Sequence, residues 1–271
     1  MKYQPSLPQH NDNVSHHHPV RELFLLLSGV LIIVLFLYWV LGLFVDVAVD
    51  HLSPEREAQL FANIDFDWDW GEESMLEEQA KLHGLIDSLT PCLSLHYPIT
   101  ISLVKSDLVN AMALPGGKMV VFSGLLDSVS STNGLMFVLA HELGHFKNRD
   151  HLRLMGRGIL FTILATLVTG GNSDMAQMLG WTINLRTAKY SQSRESQADD
   201  TALHALHCHF GHVGGATELF EALQTQEETF DFELVHYFSS HPELQQRIDD
   251  LQRLSQELGY SQDNTQAFPR R

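Results

Sequence analysis

The stretch LFLLLSGVLIIVLFLYWVLGLFV, Leu23 to Val45, carries no charged side chain. About 20 such residues cross the hydrocarbon core of a bilayer as one helix. A buried helix of a soluble domain explains the run poorly, because it has no polar face anywhere along it. A cleaved signal peptide has a shorter apolar region and small residues before the cut, whereas Asp46 and Val47 follow this run. The expectation is a retained transmembrane anchor over residues 21–49. A second apolar run, GILFTILATLV from Gly158 to Val168, is too short for a span and follows Arg153 and Arg157. It is expected to pack over the domain or dip into the membrane surface.

Lys2 and Arg21 precede the anchor, and Arg56 follows it among Asp46, Asp50, Glu55 and Glu57. Counting Lys and Arg favours a cytoplasmic N-terminus. The expectation is therefore a single-pass protein of a bacterial inner membrane with its domain outside the cytoplasm, the cytoplasmic side being the alternative. A formal net charge of -16 excludes a nucleic-acid surface, which needs clustered Lys and Arg. The two cysteines, Cys92 and Cys208, cannot build a disulfide framework or a Cys-rich zinc site. They read as buried thiols, with a bridge between them as the alternative if the domain is secreted.

The remaining chain divides by composition. Residues 1–20, rich in Pro, Asn, Gln and His, read as a disordered head. Residues 50–95 read as a juxtamembrane helical segment, with Ser53 capping a helix that Pro54 opens, followed by a helix near Glu73–Leu89. From residue 96 to 258 lies the expected catalytic domain, with a tail over 259–271. YPITISLVKS and NAMALPGGKMVVFSGLL alternate apolar and polar residues around PGG, a turn signal, and read as a short antiparallel sheet. Ser131, Thr132 and Asn133 are candidate caps for a helix with Leu135, Val138, Leu139 and Leu143 on one face.

That helix contains HELGH. Residues four apart sit about 40° apart on one face of a helix, so His141 and His145 can direct their rings at one ion. Glu142 is turned far enough to reach a water on that ion without ligating it. Zinc with imidazole ligands and an open position lowers the pKa of such a water to about 7. Gly144 leaves room beside the ion. Two candidates compete for the third protein ligand. His151 has the spacing of HExxHxxGxxH enzymes, with Asn148 at the position of the intervening glycine. Glu195, in SRESQADD, shares a helical face with Asp199, which could accept a ligand histidine's free N–H. There Ala198 would let the two helices approach. The histidines of HALHCHFGH read as a helix end rather than a second metal site.

Taken together, the blocks NAMALPGGKMVV, VLAHELGH, YSQSRESQAD and SSHPELQQRI, in that order over roughly Ile99 to Leu254, resemble the HtpX-like zinc peptidases, relatives of the CAAX prenyl endopeptidases. The resemblance implies an α+β fold: a mainly helical gluzincin domain with a small antiparallel sheet at the cleft. The single anchor is not part of it, since HtpX resembles a multi-spanning protein; the apolar run alone puts this domain behind one transmembrane helix. It implies one Zn2+ per chain on His141, His145 and Glu195, with Glu142 as general base and Asp199 behind the ligands. His151 becomes structural, and the metzincin arrangement with His151 as third ligand is the alternative. Asn110, Ala111, Met112 and Ala113 would line the edge to which a substrate strand adds. His241 is expected near the metal, as an oxyanion donor or a resting-state ligand. Arg247 is expected to pair with an acidic group of the site or to hold substrate. The expected partners are the lipid bilayer and unfolded or membrane-associated polypeptides cleaved in quality control, with a non-catalytic zinc-containing scaffold as the alternative.

Overall fold

The computed structural model describes residues 19–63, 76–95, 97–169, 192–227, 241 and 244–268. The expectations for the N-terminal head and for the start of the helix near Glu73 lie outside these residues. Pro19–His51 form one unbroken helix, α1, in which only Gly42 and Val49 are buried. It is long and apolar enough to cross a membrane. A turn at Leu52 and Ser53 leads into α2, Pro54–Phe61, where the Ser53 hydroxyl accepts the Arg56 amide as the expected cap. Helix α3 follows at Leu76–Leu93, longer at its C-terminal end than expected and with Pro91 inside its last turn.

Three strands form one sheet in the order β1-β3-β2. The expected hairpin is there: β2 (Ala111–Leu114) and β3 (Lys118–Phe122) pair antiparallel, with Ala113 opposite Met119. Gly116 and Gly117 take φ of +83° and +77° in its turn, a backbone that glycine adopts without steric cost. However, β1 (Thr100–Val104) pairs parallel with β3, so the sheet is mixed. Residues 105–110 carry the chain past β3 to the far edge, leaving β2 as an edge strand.

After the short α4 (Ser123–Ser128), Ser131 caps α5 (Thr132–Asn148) by accepting the Gly134 amide at 2.9 Å. Helix α5 is not amphipathic, as the sequence pattern implied; every residue from Asn133 to Phe146 is buried. A helix apolar on all sides is one packed on all sides, and α5 is the central element of the core, between α3, β2 and α7 (Gln192–Phe210). It ends at Arg149, whose φ of +56° lets the next helix, α6 (Asp150–Thr169), leave in a new direction. The left-handed residue is therefore Arg149, not Asn148.

Helix α6 packs chiefly along α1 and also touches α5 and β2 of the domain. Arg157 pairs with Asp46 at 2.7 Å, and further along Phe161 meets Tyr38 edge-on with ring centres 6.4 Å apart. The two helices are therefore antiparallel, and Leu160 and Leu164 are buried. The other face of α6 presents Ile159, Ile163 and Leu167 to the exterior.

Helices α8 (Glu218–Glu227) and α9 (Leu244–Glu257) complete the domain. The reading of the cysteines as buried thiols is corrected: Cys92 and Cys208 are joined by a disulfide, with Cα atoms 5.8 Å apart. Packing of α3 against α7 brings the last turns of the two helices to the separation a disulfide needs.

Candidate metal centre

Helix α5 supplies His141, Glu142 and His145, α7 supplies Glu195 and Asp199, and α9 supplies Arg247. The two helices can bring these groups together because Gly144 faces α7. A Cβ built there would lie 3.0 Å from Ala198 Cα and 3.3 Å from Ala198 O. Gly144 thus makes room for the second helix, not for the ion, and Ala198 is its small counterpart.

His141, His145, Glu195 and His241 are all buried, and one ligand atom from each lies within 4.8 Å of the others. His141 Nε2 is 3.1 Å from His145 Nε2 and 3.5 Å from Glu195 Oε2. His145 Nε2 is 3.5 Å from Glu195 Oε1. Zinc–nitrogen bonds of ~2.0–2.1 Å in a tetrahedron place neighbouring ligands roughly 3.3 Å apart, so these spacings fit zinc. His241 completes the group, with Nδ1 2.9 Å from Glu195 Oε2 and 3.4 Å from His141 Nε2. Glu142 Oε1 and Glu195 Oε1 are buried without a hydrogen-bond donor. Burying such groups is costly unless something completes them, and a cation with its water would.

Both ligand rings are oriented from behind. His141 Nδ1–H donates to Asp199 Oδ1 at 2.9 Å, and His145 Nδ1–H donates to Asp150 Oδ2 at 3.0 Å. With Nδ1 protonated toward a carboxylate, each Nε2 keeps its lone pair for the cluster. Arg247 donates from Nε and Nη2 to the two oxygens of Asp199 at 2.7 and 2.6 Å, and its Nη1 lies 2.9 Å from Glu195. Of its two expected roles, the pairing with acidic groups is the one observed. Burial works against the charge on Asp199, but Arg247 and His141 outweigh it and hold the carboxyl low. Glu195 is likewise held low against burial, chiefly by His241 and the two ligand histidines.

Glu142 is held by the sheet: the Ala113 amide donates to its Oε2 at 3.1 Å. Next to it on β2, the Ala111 amide donates to Asn110 Oδ1 at 2.9 Å. The edge strand therefore lies directly on Glu142, with Asn110, Ala111, Met112 and Ala113 all buried.

His151 stands apart. Its Nε2–H donates to Glu57 of α2 at 2.9 Å, and it does not belong to the cluster. In the HALHCHFGH segment, His204 bonds the Tyr260 hydroxyl, His207 stacks on the Tyr260 ring and Cys208 is in the disulfide. Sequence reasoning missed Asp150 and Arg194, which pairs with Asp150 at 3.1 Å. Asp150 lies five residues beyond His145, a spacing that reaches back only because the helix breaks at Arg149. The polar KNRD stop after the motif was the available signal.

The model of peptidase family M48 matches residues 76–255. Protease HtpX homolog 1 of Streptomyces coelicolor is 28% identical over 225 residues, covering 68% of this chain and 73% of that protein. The mitochondrial metalloendopeptidase OMA1 of Danio rerio is 27% identical over 178 residues, 58% of this chain and 35% of the relative. The beta-barrel assembly-enhancing protease of Yersinia pestis is 30% identical over 128 residues, 42% of this chain and 26% of the relative. The matches thus span only about a third of OMA1 and a quarter of the assembly-enhancing protease. The match runs from α3 through α9 and takes in HELGH, Glu195, Asp199, His241 and Arg247, and on this ground the chain belongs to peptidase family M48.

Proposed function

We propose that the protein is a membrane-anchored zinc endopeptidase that cleaves unfolded or membrane-associated polypeptides. The observation that carries this reading is the buried His141–His145–Glu195 cluster with Glu142 beside it, pressed against an edge strand. Zinc held by these three residues supplies Lewis acidity, lowering the pKa of a water and polarising a carbonyl. A substrate backbone adds along β2, where the Ala111 and Ala113 amides are held by Asn110 and Glu142. Glu142 takes the proton of the attacking water on its carboxylate and delivers it to the leaving amine. Recognition through backbone groups favours extended chains over particular side chains, which suits quality control. Both the HtpX homologue and the assembly-enhancing relative are named as proteases, which supports the peptidase reading.

On this reading His241 would join the ligands in the resting site and be displaced by substrate. Its Nδ1 lies among the ligand atoms, while its Nε2 is 3.6 Å from Glu142. The anchor is α1, and α6 runs beside its apolar stretch with an apolar outer face. The Cys92–Cys208 disulfide supports a domain outside the reducing cytoplasm, in agreement with the Lys and Arg count.

Glu142→Gln is the direct test. It should bind stoichiometric zinc and melt as the wild type does, yet lose at least ~1000-fold in kcat, combining general acid–base catalysis and water activation. Full proteolysis by this variant would sink the mechanism and favour a non-catalytic scaffold. His241→Ala should keep zinc and raise turnover of short peptides. A fall of about 100-fold would instead identify His241 as an oxyanion donor.

A further inference from the structure

Glu57 is a charged residue with no exposed surface, in an eight-residue helix directly after the membrane helix. It lies outside residues 76–255, the part of the chain that the family model covers. Its Oε1 accepts two hydrogen bonds, each 2.9 Å, from the Gly116 amide and from His151 Nε2–H. Both partners stand next to the site. Gly116 is three residues from Ala113, whose amide holds Glu142. His151 follows Asp150, whose carboxylate holds His145.

We propose that Glu57 is a positioning residue, fastening the β2–β3 turn and the α5–α6 junction to the segment that follows the membrane helix so that general base and ligand histidine stay aligned. The inference rests on the peptidase reading above. Apolar packing supports the same contact: a Cβ built on Gly116 would lie 2.9 Å from Phe61 Cβ, so α2 sits directly on the turn. The end of the membrane helix is gripped as well. The Arg149 guanidinium, at the break between α5 and α6, donates to the carbonyls of Val49 and Leu52. Arg153 pairs with Asp46 and Asp50. Residues 46–57 thus touch both ends of the polar frame around the site, and the catalytic geometry depends on how the chain leaves the membrane.

A buried pair serving stability alone would change folding without changing turnover per intact site. The test compares the full-length wild type with Glu57→Gln, His151→Gln, the double variant and Gln59→Ala, an exposed control on the same helix. Zinc content, kcat, KM and amide hydrogen exchange are measured on each. Glu57→Gln should keep stoichiometric zinc, lower kcat per zinc-loaded molecule about 10-fold, as loss of an outer supporting contact does, and leave KM within about twofold. Its Gly116 and Ala113 amides should exchange about 10-fold faster, with those of β1 unchanged. Glu57→Asp should recover part of kcat. His151→Gln should act in the same direction, and the double variant should be no worse than Glu57→Gln, because the two residues work as one unit. Should Glu57→Gln fail to fold, His151→Gln still decides. Unchanged kcat per zinc-loaded molecule, or wild-type exchange at Ala113, overturns the proposal. Absence of any peptide hydrolysis by the wild type would strike the peptidase reading, while the exchange data would still report on the clasp.

Discussion

His141 and His145 sit one turn apart on the same helix, yet their rings are fixed by two differently built supports. Behind His141, Asp199 is locked in a bidentate pair with Arg247, and Arg247 reaches on to Glu195. The guanidinium side chain is only 5% exposed. Behind His145, Asp150 meets Arg194, whose side chain is 34% exposed. The first support ties a ligand's orienting carboxylate to the third ligand; the second ties it to the rim. Buried charge pairs are costly to break because a lone charge is left behind, whereas pairs open to water contribute little. The two histidines therefore hold like positions in the cluster but have unequal supports.

Three measurements bear on this inequality. Asp199→Asn should have the largest effect, weakening zinc affinity about 100-fold by chelator competition, because it also strands Arg247 beside Glu195. Asp150→Asn should cost about 10-fold, the lower end of the range for such partners. Equal losses would mean that the Arg247 link to Glu195 adds nothing. The smallest effect should appear in the metal-free protein. Burial disfavours a charged His145 ring, but its contacts with Asp150 and Glu195 and the charges of Glu142 and Glu195 prevail and push its pKa up to about 9. A folded-state pKa above the ordinary 6.5 stabilises the fold fully below that value and progressively less as pH rises towards 9. The Tm of zinc-free wild type should therefore fall between pH 6.5 and 9, and Asp150→Asn should flatten that fall. An unchanged slope in the variant would assign the effect to Glu142 and Glu195.

The same contrast explains what could be read from sequence. Asp199 was legible because it and Glu195 lie one turn apart on one helix, a periodic relation. Asp150 was not, since its reach to His145 depends on a left-handed residue at Arg149, where an arginine gives no warning. The hairpin was announced by PGG, while the parallel pairing of β1 was hidden in a connection with no regular pattern. Helix α5 was identified from its capping and spacing, but its burial on every side became clear only from its neighbours. The role of Gly144 went astray for a related reason: a small residue shows that something comes close, not what. Glu57 lay in an acidic stretch and looked like one more solvated carboxylate, and only the fold brings it against Gly116 and His151. The cysteines, 116 residues apart, carried no sign of pairing until α3 and α7 met.

That covalent link has a bearing on what a cut in the backbone would do. A backbone cut at any point between Cys92 and Cys208 leaves the two pieces joined through sulfur. One such cut, between α6 and α7, would separate HELGH from Glu195 in the chain but not in space, since α5 and α7 would remain tethered and packed. Nicked molecules would migrate as a single species until reduced, and the parts of the metal centre would survive as one unit after the chain itself had been severed.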